Sequence, residues 1–170
     1  SAASDVYKRQ VKYTVNAQQS YKATAAAKTY NAKNQTTKVT VKYGNTVLKR
    51  GTDYKITGVT RAKNAGKYKV TVKGINNYKG TKTIYYTINK AAQKSVKVKV
   101  NASKKKITVS GVKAKAKVTY KSANKKVKVK NGKITVGKGV KKGTKVRITV
   151  KVAATKNYKA YSKSIIYKVK

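Results

Sequence analysis

The sequence predicts an all-β fold arranged as small sandwich modules in tandem. Three observations carry that expectation. Apolar residues alternate with Lys or Thr in short runs, and a period of two means one face buried and one wet. Turn-forming Asn and Gly separate the runs. The apolar material is Val, Ile, Ala and Tyr, with no Phe, Trp, Met or Pro in 170 residues and Leu48 as the only Leu. Beta-branched and aromatic side chains suit a pleated, half-buried surface.

The runs follow in order. VTVKY puts Val39, Val41 and Tyr43 on one face, and Gly44-Asn45 marks the turn after it. Asn64-Ala65-Gly66 marks a turn before YKVTVK, which aligns Tyr68, Val70 and Val72. VKVKV aligns Val96, Val98 and Val100. VKVKNGKITV reads as a hairpin, because Asn131 and Gly132 tolerate the positive φ that a two-residue type I′ turn needs at both positions. Lys142-Gly143 precedes KVRITVKV, where Val146, Ile148, Val150 and Val152 oppose Arg147, Thr149 and Lys151. The only helix-tolerant stretch, ATAAAK over 23–28, is too short to stand alone as a helix. No apolar run reaches the length of a membrane span.

The chain also repeats itself. NYKGTKTIYYTINK begins at Asn77 and NYKAYSKSIIYKVK at Asn157, and VKYTVNAQQ from Val11 resembles IYYTINKAAQ from Ile84. Periodic self-similarity of this size means an array of modules. The expected organisation is one module over 20–89 and a second over 90–170, joined near NKAAQKS. Residues 11–19 are expected to be the last strand of a truncated preceding module. Residues 1–10, SAASDVYKRQ, match the translation in one frame of a common transposase-type sequencing adapter. They are expected to be an artefact and are set aside from fold reasoning.

At this point the residues resemble a family. The segment from VTVKYGNTVLKRG to KGTKTIYYTI is similar to bacterial immunoglobulin-like repeats of Gram-positive, clostridial-type surface proteins. Gly51-Thr52-Asp53-Tyr54, Asn64-Ala65-Gly66 and GINNYKG over 74–80 carry the resemblance. The segment from VTYKSANKK to the C-terminus resembles a related Lys-rich module. Many relatives carry Pro near the first strand, where this chain has NAKNQTTKV. The resemblance implies tandem Ig-like β-sandwich modules in an exported, wall-associated protein. It also implies a spacer or adhesion role, frequently appended to a hydrolase, peptidase or leucine-rich-repeat domain.

Composition restricts the chemistry. The chain has no His, Cys or Glu, and its two acids are Asp5 and Asp53. A Ser-His-Asp triad cannot be built, nor a pair of carboxylates for glycoside cleavage. Zinc sites need His or Cys, and calcium cages need several carboxylates. No catalytic residue, cofactor or metal is therefore expected. Asp53 has two readings. It orders the turn into Tyr54-Lys55-Ile56 through side-chain-to-backbone hydrogen bonds, or it assists a Lys–Asn isopeptide bond of the kind some Gram-positive Ig-like domains form. The turn reading is preferred. Asp53, Gly66, Asn131 and Gly132 are thus expected to be structural turn residues. In a chain without Phe or Trp, Tyr43, Tyr54, Tyr68 and Tyr86 are expected to supply large core side chains, with Tyr78 and Tyr158 as corner or loop packers.

Lysine is the strongest signal. The formal net charge is +43. Lysines that solvate outer faces and guard sheet edges explain the alternation. They do not explain the near absence of acids, since a balanced surface stays soluble without such self-repulsion. The expected polyanion-facing residues are Lys97, Lys99, Lys126, Lys128, Lys130, Lys145, Arg147 and Lys151. The family resemblance favours an anionic, teichoic-acid-like wall polymer as partner. Nucleic acid is expected to bind only nonspecifically, because Arg, the better bidentate partner for phosphate and guanine, is scarce. The expected function is a non-catalytic spacer of an exported surface protein, extracellular at the cell wall, with monomeric modules. The alternatives are a carbohydrate- or protein-binding adhesin and a nonspecific nucleic-acid-binding protein.

Overall fold

The computed structural model describes residues 20–170, so the expected strand at 11–19 and the first ten residues lie outside the described residues. The described chain is all-β, with one single-turn 3-10 segment at Lys113–Lys115 and no α-helix. The first nine strands are β1 (Lys22–Ala25), β2 (Lys28–Thr29), β3 (Gln35–Thr36), β4 (Val39–Tyr43), β5 (Thr46–Val47), β6 (Tyr54–Gly58), β7 (Arg61–Ala62), β8 (Gly66–Gly74) and β9 (Thr81–Asn89). The remainder are β10 (Lys97–Asn101), β11 (Lys106–Ser110), β12 (Val118–Ser122), β13 (Val127–Lys130), β14 (Lys133–Val136), β15 (Lys145–Val152) and β16 (Tyr161–Lys168). The helix-tolerant stretch over 23–28 is drawn into β1 and β2. Strand pairing overrides the weak helical preference of its alanines, as tertiary context routinely does.

The strands form sheets of order β1-β4-β5, β2-β9-β8-β6 and β3-β7, followed by β10-β11-β14-β13 and β12-β15-β16. Two compact units result. One comprises the described chain up to Ala26 with Thr36–Arg61 and Lys67–Tyr86, and the other comprises Ala27–Gln35, Ala62–Gly66 and Thr87–Lys170.

In the first unit, Tyr21, Val41 and Leu48 meet Tyr54 and Val72 in a buried cluster, with Ile56, Tyr78 and Ile84 packed against it. The Tyr21 hydroxyl reaches the Val72 carbonyl at 2.9 Å and the Gly80 carbonyl at 2.8 Å, and accepts the Gly74 N–H at 3.0 Å. Gly74 must be glycine here, since a Cβ would come within 2.8 Å of both the Tyr21 ring and the Tyr78 carbonyl oxygen. Tyr54 and Tyr86 are buried and Tyr68 is half-buried against Tyr86, with ring centroids 5.2 Å apart. Tyr43 departs from its expected core role. It closes β4 at a tight Gly44 turn and is 39 % exposed. The alternation that fixes its face does not reach beyond the edge of the core.

In the second unit two sheets enclose one core. Ile107, Val127 and Ile134 come from β11, β13 and β14. Val146, Ile148 and Val150 from β15, Tyr167 from β16, and Val169 come from the other side. Along β15 burial alternates without a break, with Val146, Ile148, Val150 and Val152 turned inward. Each such side chain contributes about 1.5–3 kcal/mol through burial. The two-residue hairpin at Asn131-Gly132 has φ of 49° and 82°, the left-handed values a type I′ turn requires. Gly132 is buried, and a Cβ there would run into the Ile107 carbonyl oxygen.

Candidate functional site

All eight basic residues singled out in the sequence are exposed. Their exposure follows from the strand period, because their neighbours Val98, Val127, Val129, Val146, Ile148 and Val150 all turn into the core. The register then decides which of them meet. On β10, Lys97 faces Ser110 and Lys99 faces Thr108 of β11. On β13, Lys128 faces Thr135 and Lys130 faces Lys133 of β14. Lys133 in turn faces Lys106 of β11, and Lys106 faces Asn101 of β10. One transverse row therefore crosses all four strands of this sheet, reading Asn101, Lys106, Lys133, Lys130. Directly opposed side chains have Cβ atoms about 4.5–5.5 Å apart, so three lysine side chains leave the sheet from one short row.

Along β13 the same face continues into a groove of about 410 Å³ lined by Lys125, Lys126, Lys128, Lys138, Thr135 and Gly137. The Gly137 N–H donates to the Lys126 carbonyl at 2.7 Å, which holds the two flanks of the β13–β14 hairpin together. The structure thus brings Lys126, Lys128 and Lys130 onto one surface. Lys97 and Lys99 lie on the opposite edge strand of that sheet.

Lys145, Arg147 and Lys151 lie on the outer face of β15, the central strand of the other sheet. Lys145 faces Lys168, Arg147 faces the exposed Ile166, and Lys151 faces Thr119 and Ser162. Between them Thr149 faces Lys121 and shares a 3.0 Å hydroxyl–hydroxyl hydrogen bond with Ser164. In the first unit, Lys22 faces Lys42 and Lys55 faces Lys73.

Edge protection does not explain this distribution. Lysines on β10 and β13 guard open edges, but Lys106, Lys133, Lys145 and Lys151 sit on interior strands whose hydrogen bonds are already taken. Like charges directly opposed across strands are destabilising. Asp53 is the only carboxylate side chain among the described residues, and it is spent on a turn. Its Oδ2 accepts the Lys49 N–H at 2.7 Å, while its own N–H donates to the Lys49 carbonyl at 2.8 Å. The half-buried Gly66 opens β8 immediately after the bend at 64–65.

Lys106, Lys133, Lys125 and Lys138 were not among the residues singled out. Lys133 was within reach, since a two-residue turn at Asn131-Gly132 forces Lys130 and Lys133 into opposition. Lys106 was not. Its place depends on β14 lying beside β11, a pairing that no local signal encodes.

No family model, curated protein or solved structure matches this chain. No helix among the described residues is long and apolar enough to cross a membrane.

Proposed function

We propose that this chain is a non-catalytic spacer of an exported bacterial surface protein, built from tandem Ig-like sandwiches and held to anionic wall polymer by lysine charge. The observation that carries the reading is the row Lys106–Lys133–Lys130. Repulsion of this kind lowers stability in the free protein and is relieved when a polyanion supplies the missing counter-charge. The mechanism is long-range attraction and release of the polymer's counterions, so binding weakens as salt rises. The resemblance of most of 36–89 and 96–170 to wall-associated repeats supports the choice of polymer and location.

The test is cosedimentation with isolated Gram-positive cell walls before and after chemical removal of their phosphate polymer. The expected result is strong retention on untreated walls and release after stripping. Equal retention on both would move the assignment to an adhesin that reads the glycan or a protein.

A further inference from the structure

The repeated Asn-Tyr-Lys motif leads to a second, shaped site. In the second unit its tyrosine, Tyr158, meets Tyr30 edge to face, with ring centroids 5.4 Å apart and planes at 82°. The motif is firmly held. The Ala91 N–H donates to the Asn157 carbonyl at 2.9 Å and the Lys159 N–H to the Ala91 carbonyl at 2.8 Å. The Asn157 side chain accepts the Ala65 N–H at 2.9 Å and donates to Asn64 Oδ1 at 3.0 Å. Both rings stay half-buried and line a groove of about 430 Å³, together with Ala91, Lys94, Ser95 and Lys113. That size falls within the range of small-molecule sites, about 300–1,000 Å³.

Beside the hydroxyls of Thr29 and Ser95, the charged side chains lining the groove are of one sign. Lys94 and Lys113 bring two ammonium groups. Gln93, between lining residues Ala92 and Lys94, is only 3 % exposed. Its Oε1 accepts the Lys113 N–H at 3.0 Å, while its Nε2 has no hydrogen-bond partner among the described residues. Gln93 does not itself line the groove; its bond to the Lys113 N–H ties the segments that carry Lys94 and Lys113 together.

We propose that this groove binds a phosphorylated sugar, with the ring set against the Tyr30–Tyr158 corner and the phosphate held by Lys94 and Lys113. A phosphate offers three oxygens to these two lysines. The apolar edge of a pyranose suits a tyrosine face. The rings are nearly perpendicular and form a corner, not the parallel slot that a flat base enters, so a sugar fits better than a nucleobase. The choice of ligand class rests on the wall-polymer reading above, but the site does not depend on the lysine rows.

The experiment is an NMR titration of the whole chain in about 1 M salt, where the Debye length is about 3 Å and diffuse attraction is suppressed. The probes are N-acetylglucosamine 1-phosphate, N-acetylglucosamine, inorganic phosphate and a nucleoside monophosphate. The sugar phosphate is expected to shift the amides of Ala91, Lys94, Ser95 and Lys113, and to bind more tightly than the other three. Lys94→Ala with Lys113→Ala should weaken it at least tenfold, Gln93→Leu, which unties the Lys113 N–H, should weaken it measurably, and the control pair Lys38→Ala with Lys79→Ala, exposed and outside the groove, should leave it unchanged. No localised shifts, or equal losses in the control pair, would overturn the site and leave the polymer reading standing. Preference for the nucleotide would overturn the sugar assignment. Loss of low-salt wall binding with the groove still occupied would instead remove the polymer reading alone.

Discussion

Lys106 and Lys133 stand directly opposite each other on neighbouring antiparallel strands, both on the outer face and both exposed. Lys130 extends the pair to a third strand. Water and mobile ions screen such charges well, so the sheet forms despite them. The repulsion remains as a small penalty that salt or a polyanion removes. This is the physical link between the strand register and the proposed function.

Replacing the middle member tests that penalty. Lys133→Thr should stabilise the protein by about 0.5–1 kcal/mol at low salt, from lost repulsion and better strand propensity. Denaturant melts at low and high salt would show the gain shrinking as screening grows. A gain independent of salt would assign it to propensity alone.

The tyrosine hydroxyls provide a second contrast. Tyr21 is buried with three backbone partners, whereas the buried hydroxyls of Tyr86 and Tyr167 have none among the described residues. Tyr21→Phe should cost about 1–3 kcal/mol, because it removes the hydroxyl's bonds to Val72, Gly74 and Gly80 in a buried site, although the Gly74 N–H keeps its 3.0 Å bond to the Gly80 carbonyl. Tyr86→Phe and Tyr167→Phe should be neutral or stabilising, since they delete a desolvated group and break no bond. Thermal unfolding of the three variants checks the order.

How much of this was legible beforehand follows from the range of each interaction. The inward Val and Ile of β15 and the Asn131-Gly132 hairpin were readable, because alternation and turn chemistry act over a few residues. The role of Asp53 was open between two readings, and its 2.7 Å bond to the Lys49 N–H supplies the local geometry. Lys106 opposite Lys133 could not be read, since strand order is set by the whole core. The meeting of Tyr30 with Tyr158 was hidden for the same reason, although the repeat had flagged Tyr158. Tyr43 misled because a period gives a face and says nothing of where the core ends.

The hairpin makes a sharp prediction about one glycine. Gly132→Ala places a Cβ at φ of 82° and against the Ile107 carbonyl oxygen. Left-handed backbone alone costs a non-glycine residue about 1–2 kcal/mol, and the clash adds to it. The variant should lose about 2 kcal/mol or more in a denaturant melt. Gly44→Ala, with open space around its Cβ, should lose less.

Alkaline titration probes the phenols. Burial raises the pKa of Tyr21, partly offset by its bond from Gly74. Burial raises Tyr86, reinforced by neighbouring Tyr68, and burial alone raises Tyr120. A group with a raised folded pKa stabilises the fold fully below its unfolded value, here 10.0. That contribution fades as pH climbs through the folded value. Stability should therefore fall above about pH 10, with Tyr86→Phe showing a shallower fall. An identical slope in the variant would remove Tyr86 from the cause.

The most direct measurement is the affinity for poly(glycerol phosphate) as a function of salt, for the natural chain and for Lys106→Gln/Lys130→Gln/Lys133→Gln. The predicted result is a linear fall of log K with log salt, and a slope smaller by about 2–3 in the triple variant, since each lost phosphate contact removes roughly 0.7–0.9. Binding that ignores salt, or a slope unchanged by the three substitutions, would contradict the claim that this lysine row meets the polymer.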